Sequence, residues 1–200
     1  LAGSSFLGAT AGAQNEAPSV KVASLTQILG RPTNRSVSLN VLTPQTIDAY
    51  VEYGAAAGRL TSKTKPVRVD AARPNVIELT GLASNRRYYY RLRTRPATAT
   101  SFATGSTHSF TTQRAPGTSF TFALQGDSHP ERVNKMYDPT LYQATLSRVA
   151  KEQPDFYITM GDDFSLDRLI ERDTLSTSAV DQVYVDQRTF LGTVGATSPL

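Results

Sequence analysis

The sequence predicts a mainly β chain that turns α/β: an antiparallel β-sandwich over residues 19–113, a linker over 114–118, and the first part of an α/β domain over 119–200. Two observations carry this. Between about Ser19 and Gln113 apolar residues recur with period two, the signature of half-buried strands, with Pro, Gly, Asn and Asp between them and no helical stretch. After "TTQRAPGTS" the period changes to continuous apolar runs, "FTFALQG" and "DFYITMG", bracketing a helical pattern. With 39% apolar residues in 200, the chain can bury a core.

The first residues, "LAGSSFLGATAGAQ", are small and uncharged and contain Ala11-Gly12-Ala13, which fits a signal-peptidase site. Residues 1–18 are thus read as a signal-peptide remnant or a flexible leader, outside the fold in either case. The first alternative implies export to a periplasmic or extracellular space. In the sandwich, Val37, Leu39 and Val41 alternate with polar residues, as do Ile47, Ala49, Val51 and Tyr53. Val67 and Val69, then Val76 and, less strictly, Ile77 and Leu79, then Tyr88, Tyr90 and Leu92, and last Phe110 and Thr112 complete the strands. In "ELTGLASNRRYYYRLRT" the spacing of Leu79, Leu82, Tyr88 and Tyr90 resembles the tyrosine corner of fibronectin type III domains, with Tyr88 as the corner residue. With "YVEYG" at 50–54, this half also resembles the sandwich that precedes the catalytic domain of purple acid phosphatases and related secreted phosphoesterases. For chemistry that resemblance is silent.

Beyond the linker, "FTFALQG" suits a strand buried on both faces. Asp138-Pro139 is an N-cap followed by a first-turn proline, and Leu141, Thr145, Leu146 and Val149 follow at helical spacing until Pro154. "DFYITMG" is the second buried strand. Strand, helix and strand with short connections make a βαβ unit with parallel strands. A further helix is expected over about 179–191, with Val180, Val183, Tyr184 and Phe190 as its apolar positions, leading towards a third strand.

Composition narrows the chemistry. A formal net charge of +4 with scattered arginines is not a nucleic-acid patch. No run reaches the roughly 18 apolar residues of a membrane span. The absence of cysteine excludes thiolate ligands and leaves carboxylate, imidazole and oxygen donors, suited to hard or borderline cations. Ligands of an open parallel sheet bind beyond the carboxyl ends of its strands. Asp127 and His129 lie just past the first such end in "FALQGDSHPE", and Asp162 just past the second in "FYITMGDDFS". Gly-Asp alone is ordinary turn chemistry. The conjunction sets these apart: both aspartates end strands that flank one helix, and one of only two histidines stands two residues from the first. Asp127 and His129 can share one ion, and Asp162, with two oxygens, can bridge it to a second. Asp163 is read as a cap for the next turn, or as support behind the ligands. His108, in "STHSFTT", belongs to the last strand of the sandwich as a packing or surface residue.

"GDSH" followed 35 positions later by "GDD" resembles the D-x-H and G-D motifs of the calcineurin-like metallophosphoesterase superfamily. The resemblance implies that Asp127 and His129 bind one metal and Asp162 bridges two. It implies phosphate mono- or diester hydrolysis at a dinuclear centre of divalent ions of the Mn, Zn or Fe class, with a small phosphate ester as substrate and no nucleic acid as structural partner. Two departures matter. Purple acid phosphatases carry D-x-G and a tyrosine three residues after the second Asp; His129 and Ser165 stand there instead, which argues against a ferric-tyrosinate centre. The G-N-H-D/E motif and the later histidine motifs do not occur in these 200 residues, and "FLGTVGATSPL" is similar to what precedes G-N-H-D/E. The chain is therefore expected to be the N-terminal part of a catalytic domain, its catalytic residues lying beyond residue 200, inactive alone and partnered by the rest of that domain. The alternative is an exported fibronectin-type binding or adhesion module with a non-catalytic α/β segment. A nucleotide-binding domain is disfavoured by the absence of any G-x-G-x-x-G or G-x-x-x-x-G-K-S/T loop.

Overall fold

The computed structural model describes residues 20–132 and 137–200, so the leader falls outside the described residues. The chain is a β-sandwich followed by an α/β unit. Three strands, β1 (Thr26–Gly30), β2 (Val37–Leu42) and β6 (Asn75–Leu79), form one antiparallel sheet in the order β1-β2-β6. The facing sheet is centred on β3 (Ile47–Gly54) and β7 (Arg87–Pro96). β8 (Ala103–Thr111) lies beyond β7, while β4 (Ser62–Lys63) and β5 (Val67–Val69) pair with β3. The period-two residues meet between the sheets: Leu39, Val51, Val69, Leu79 and Tyr90 are fully buried. Tyr88 is the corner, as expected, for its hydroxyl accepts from the Ala83 N–H at 2.9 Å. Val76 is not a core residue. The inward parity of β6 is carried by Ile77 and Leu79, which turns Val76 to solvent. Val67, at the start of β5, is also exposed.

The expected βαβ unit forms. β9 (Phe122–Gln125) pairs in parallel with β10 (Phe156–Thr159), with Phe156 opposite Phe122 and Thr159 opposite Gln125. Between them runs α1 (Pro139–Glu152), capped by Asp138, whose Oδ1 accepts from the Thr140 and Leu141 amides. Gln153, in the left-handed conformation, ends it before Pro154. A short α2 (Asp167–Glu171) follows, then α3 (Thr177–Gly195), longer at both ends than the pattern suggested. Leu146, Tyr157 and Val194 form this unit's core.

The strands are not buried on both faces. Ala123 and Tyr157 turn towards the helices, whereas Phe122, Leu124 and Ile158 are exposed on the other side, with the rings of Phe120, Phe122 and Phe156 against one another. Among the described residues, helices cover only one face of the pair. The apolar positions of the helices are likewise corrected. Leu141 and Tyr184 are exposed, and α3 buries Gln187 and Val194 instead, because it is wedged between α1 and β1. Gly195 lets it approach: a Cβ there would stand 3.1 Å from the Ile28 side chain. Further links hold the two parts together. The buried Tyr90 hydroxyl donates to the Ala196 carbonyl at 2.8 Å, and Arg188 reaches Thr26 Oγ1 and the Asn40 carbonyl. The Leu200 amide donates to the Leu29 carbonyl at 2.9 Å, while within the α/β unit the Tyr157 amide donates to the Pro199 carbonyl at 2.9 Å. No described helix is long and apolar enough to cross a membrane.

Candidate metal centre

The pairing of β9 with β10 fixes where their carboxyl ends point. Because the register sets Gln125 beside Thr159, both chains leave the sheet at one level, and the Met160 amide donates back to the Gln125 carbonyl at 2.9 Å. The turn after β10 needs left-handed backbone: Gly161 has φ 99° and Asp162 φ 50°. Glycine adopts this at no steric cost, and aspartate tolerates it better than most side chains. The other turn works differently. Gly126 does not take up a positive φ and a Cβ on it would stand in open space. The left-handed residue there is His129, with φ 40°, just before a single 3-10 turn over Pro130–Arg132. Two of the three predicted ligands thus occupy backbone conformations that are sparsely populated and concentrate at functional sites.

The result is convergence. One ligand atom each from Asp127, His129 and Asp162 lies within 4.8 Å of the others; the carboxylates are exposed and the imidazole half-buried. Donors to one ion at about 2.0–2.2 Å sit at most about 4.4 Å apart, so closing on a cation asks only a few tenths of an ångström of this triad. An all-oxygen-and-nitrogen set of two carboxylates and one imidazole fits a borderline divalent cation.

Around the triad lies a polar frame. His129 Nδ1 is 2.9 Å from Glu131 Oε1, and the same oxygen accepts from Ser165 N at 2.9 Å and Ser165 Oγ at 3.0 Å. Burial acts to raise the Glu131 carboxyl, but its own backbone amide, His129 and Ser165 overcome this and hold it below the usual carboxylate range. Asp163 caps no helix. Its Oδ1 accepts from Gln125 Nε2 at 3.1 Å and its carbonyl from Ser128 Oγ at 3.0 Å, so it braces one ligand loop against the other. The Gln125 carbonyl oxygen of the side chain takes the Tyr142 hydroxyl at 3.0 Å and the Tyr157 hydroxyl besides. Buried Gln187, from α3, donates to Ser128 Oγ at 3.1 Å. Sequence reasoning missed Glu131, Gln125 and Gln187. For Glu131 one signal existed, a carboxylate two residues after the candidate ligand; the two glutamines carry none.

A cleft of about 320 Å³ runs along β9 and α1 and reaches Asp127. A larger cavity of about 630 Å³ lies at the opposite end of the strands, around the Arg114–Asp155 ion pair, and touches none of the triad. His108 plays no part in the site. It sits in β8 beside the Tyr90 ring, where burial lowers its pKa.

No protein-family model matches the chain, and no curated protein matches it either. Among solved structures it is similar to PhoD, with 17% identity and a TM-score of 0.61. The likeness covers 93% of this chain and 39% of that one, so the chain spans about two fifths of PhoD. It is also similar to the fibronectin type III domain of the human collagen alpha-1(XX) chain, 20% identical over 53% of this chain and 98% of that domain, with a TM-score of 0.35. The first likeness shows the fold: the sandwich and the α/β unit occur together, in this order, in a known structure.

Proposed function

We propose that the chain belongs to a metal-dependent phosphoesterase acting on small phosphate mono- or diesters, and that Asp127, His129 and Asp162 are its metal ligands. The observation that carries this reading is the convergence of the three residues, from two loops 35 positions apart, within 4.8 Å. In this reading Asp127 and His129 hold one ion of the Mn, Zn or Fe class, and Asp162 is shared with a second. Bound there, the ions would neutralise a phosphoryl group and make water nucleophilic at neutral pH. The chain's own contribution is placement. The β9–β10 register levels the two loops, the left-handed turns aim Asp162 and His129, and Asp163 with Ser128 keeps the loops together.

The same reading gives the bare apolar face of the β9–β10 pair an occupant: the remainder of a catalytic domain, which would bring the missing ligands and the groups that hold the transition state. Its support is the exposure of Phe122, Leu124 and Ile158, together with a match to only 39% of PhoD. Export, which the small uncharged leader suggests, belongs to this proposal as well.

The test uses metal binding first and turnover second. Mn(II) titration of the chain should show binding that Asp127→Asn and Asp162→Asn each weaken by tenfold or more with folding unchanged. In a protein that extends beyond these residues, the same substitutions should abolish p-nitrophenyl phosphate hydrolysis. Unchanged binding and turnover in both variants would leave the adhesion module as the better account.

A further inference from the structure

Glu131 stands at the junction of the two ligand-bearing loops, and its chemistry is unusual for an exposed-looking "HPER" segment. Its side chain is only 14% exposed, and one oxygen, Oε1, takes His129 Nδ1 and the amide and hydroxyl of Ser165. The other, Oε2, is enclosed with no hydrogen-bond partner among the described residues. Arg132, whose Nε is 3.7 Å from Oε1 and whose Nη2 reaches Asp167, is the cation paired with it among the described residues. Enclosing a carboxylate costs free energy, and a surface turn does not require one. The arrangement does make sense as a device for setting an imidazole. An ionised carboxylate accepts and cannot donate, so a neutral His129 facing it must carry its proton on Nδ1. Nε2 is then bare and available, and the ring is held against rotation. Ser165 belongs to the loop that carries Asp162, so the same oxygen couples the two loops.

We propose that Glu131 is the positioning residue of the centre: it fixes His129 as the Nδ1–H tautomer, with Nε2 presented towards Asp127 and Asp162, and it locks the two loops through Ser165. The role of Nε2 as a ligand rests on the metal-centre reading above; the tautomer does not. Carboxylate partners of ligating histidines are worth about 10- to 100-fold in metal affinity in other proteins.

Because the chain holds only two histidines, long-range 15N–1H NMR reads His129 without ambiguity once His108→Gln has identified the other ring. At pH 8 and without metal, wild-type His129 should show the Nδ1–H pattern. Glu131→Ala should shift it towards the Nε2–H form that free imidazole prefers, and Glu131→Gln, which keeps an acceptor of the same size, should restore Nδ1–H. In parallel, Mn(II) affinity followed by EPR should fall about 10- to 100-fold in Glu131→Ala and less in Glu131→Gln. A wild-type ring in the Nε2–H or doubly protonated form would overturn the proposal, as would full Mn(II) affinity in Glu131→Ala. Failure of the wild type to bind Mn(II) at all, with the Nδ1–H pattern present, would instead sink the metal centre and leave the positioning of the ring standing.

Discussion

At the residue scale the site depends on a few backbone angles as much as on ligand chemistry. Gly161, at φ 99°, lies where L side chains are strained, and Asp162 follows it directly. Gly161→Ala should therefore destabilise the chain by about 1–3 kcal/mol in urea unfolding and weaken Mn(II) binding, because relief of the strain moves Asp162. Binding that survived intact would show the turn to be unimportant for aiming the carboxylate. The convergence of Asp127, His129 and Asp162 was legible in the sequence because their two loops follow strong apolar runs, and runs of that kind fix both strand ends and their adjacency. The frame around them was not. Glu131 meets Ser165 across 34 positions and Gln187 meets Ser128 across 59, and a Glu or Gln in such places looks like any solvated side chain until the fold brings its partner.

At the element scale, alternation placed most strands, and its failures have local causes. Val76 and Ile77 are adjacent and both apolar, so pattern alone could not choose between them; the pairing of Ile77 with Leu39 did. Leu39 is fully buried at the middle of β2, and Leu39→Ala should cost about 2–5 kcal/mol in denaturant unfolding. On the outer face of the larger sheet, Glu52 lies directly opposite Arg91 and also contacts Arg93. Burial acts to raise the Glu52 carboxyl, but the two guanidinium groups overcome it and hold its pKa below the ordinary 4.5. A depressed carboxylate stabilises the fold above the unfolded-state value, and this contribution is lost as pH falls from about 4.5 through the lower folded value. Glu52→Gln should thus cost about 1 kcal/mol at pH 7, and the difference from wild type should shrink below pH 4. A difference that stayed constant from pH 7 to pH 3 would mean the pair contributes nothing through its charge. β9 and β10 were misread on one face for another reason: a continuous apolar run states that both faces want covering, not what covers them.

At the scale of the whole molecule, the two parts are joined by specific contacts rather than by the linker alone. Tyr90 belongs to the sandwich core, and burial pushes its hydroxyl far above the usual tyrosine pKa, so it stays a donor to Ala196 at every accessible pH. Tyr90→Phe removes that donor and leaves a buried carbonyl unpaired, which should cost about 1–3 kcal/mol in thermal or urea unfolding. An unchanged midpoint would show that the two parts are not coupled there. The apolar face of the β9–β10 pair and the converging Asp127, His129 and Asp162 lie on the same small unit, and the phosphoesterase reading proposed above, in which further chain covers that face, accounts for both. The central claim is that three residues from two loops hold one divalent ion. Crystals of the chain grown with Mn(II) and measured at the manganese edge should show an anomalous peak about 2.0–2.2 Å from one oxygen each of Asp127 and Asp162 and from His129 Nε2. An empty triad at saturating Mn(II), or a peak held by other residues, would contradict it.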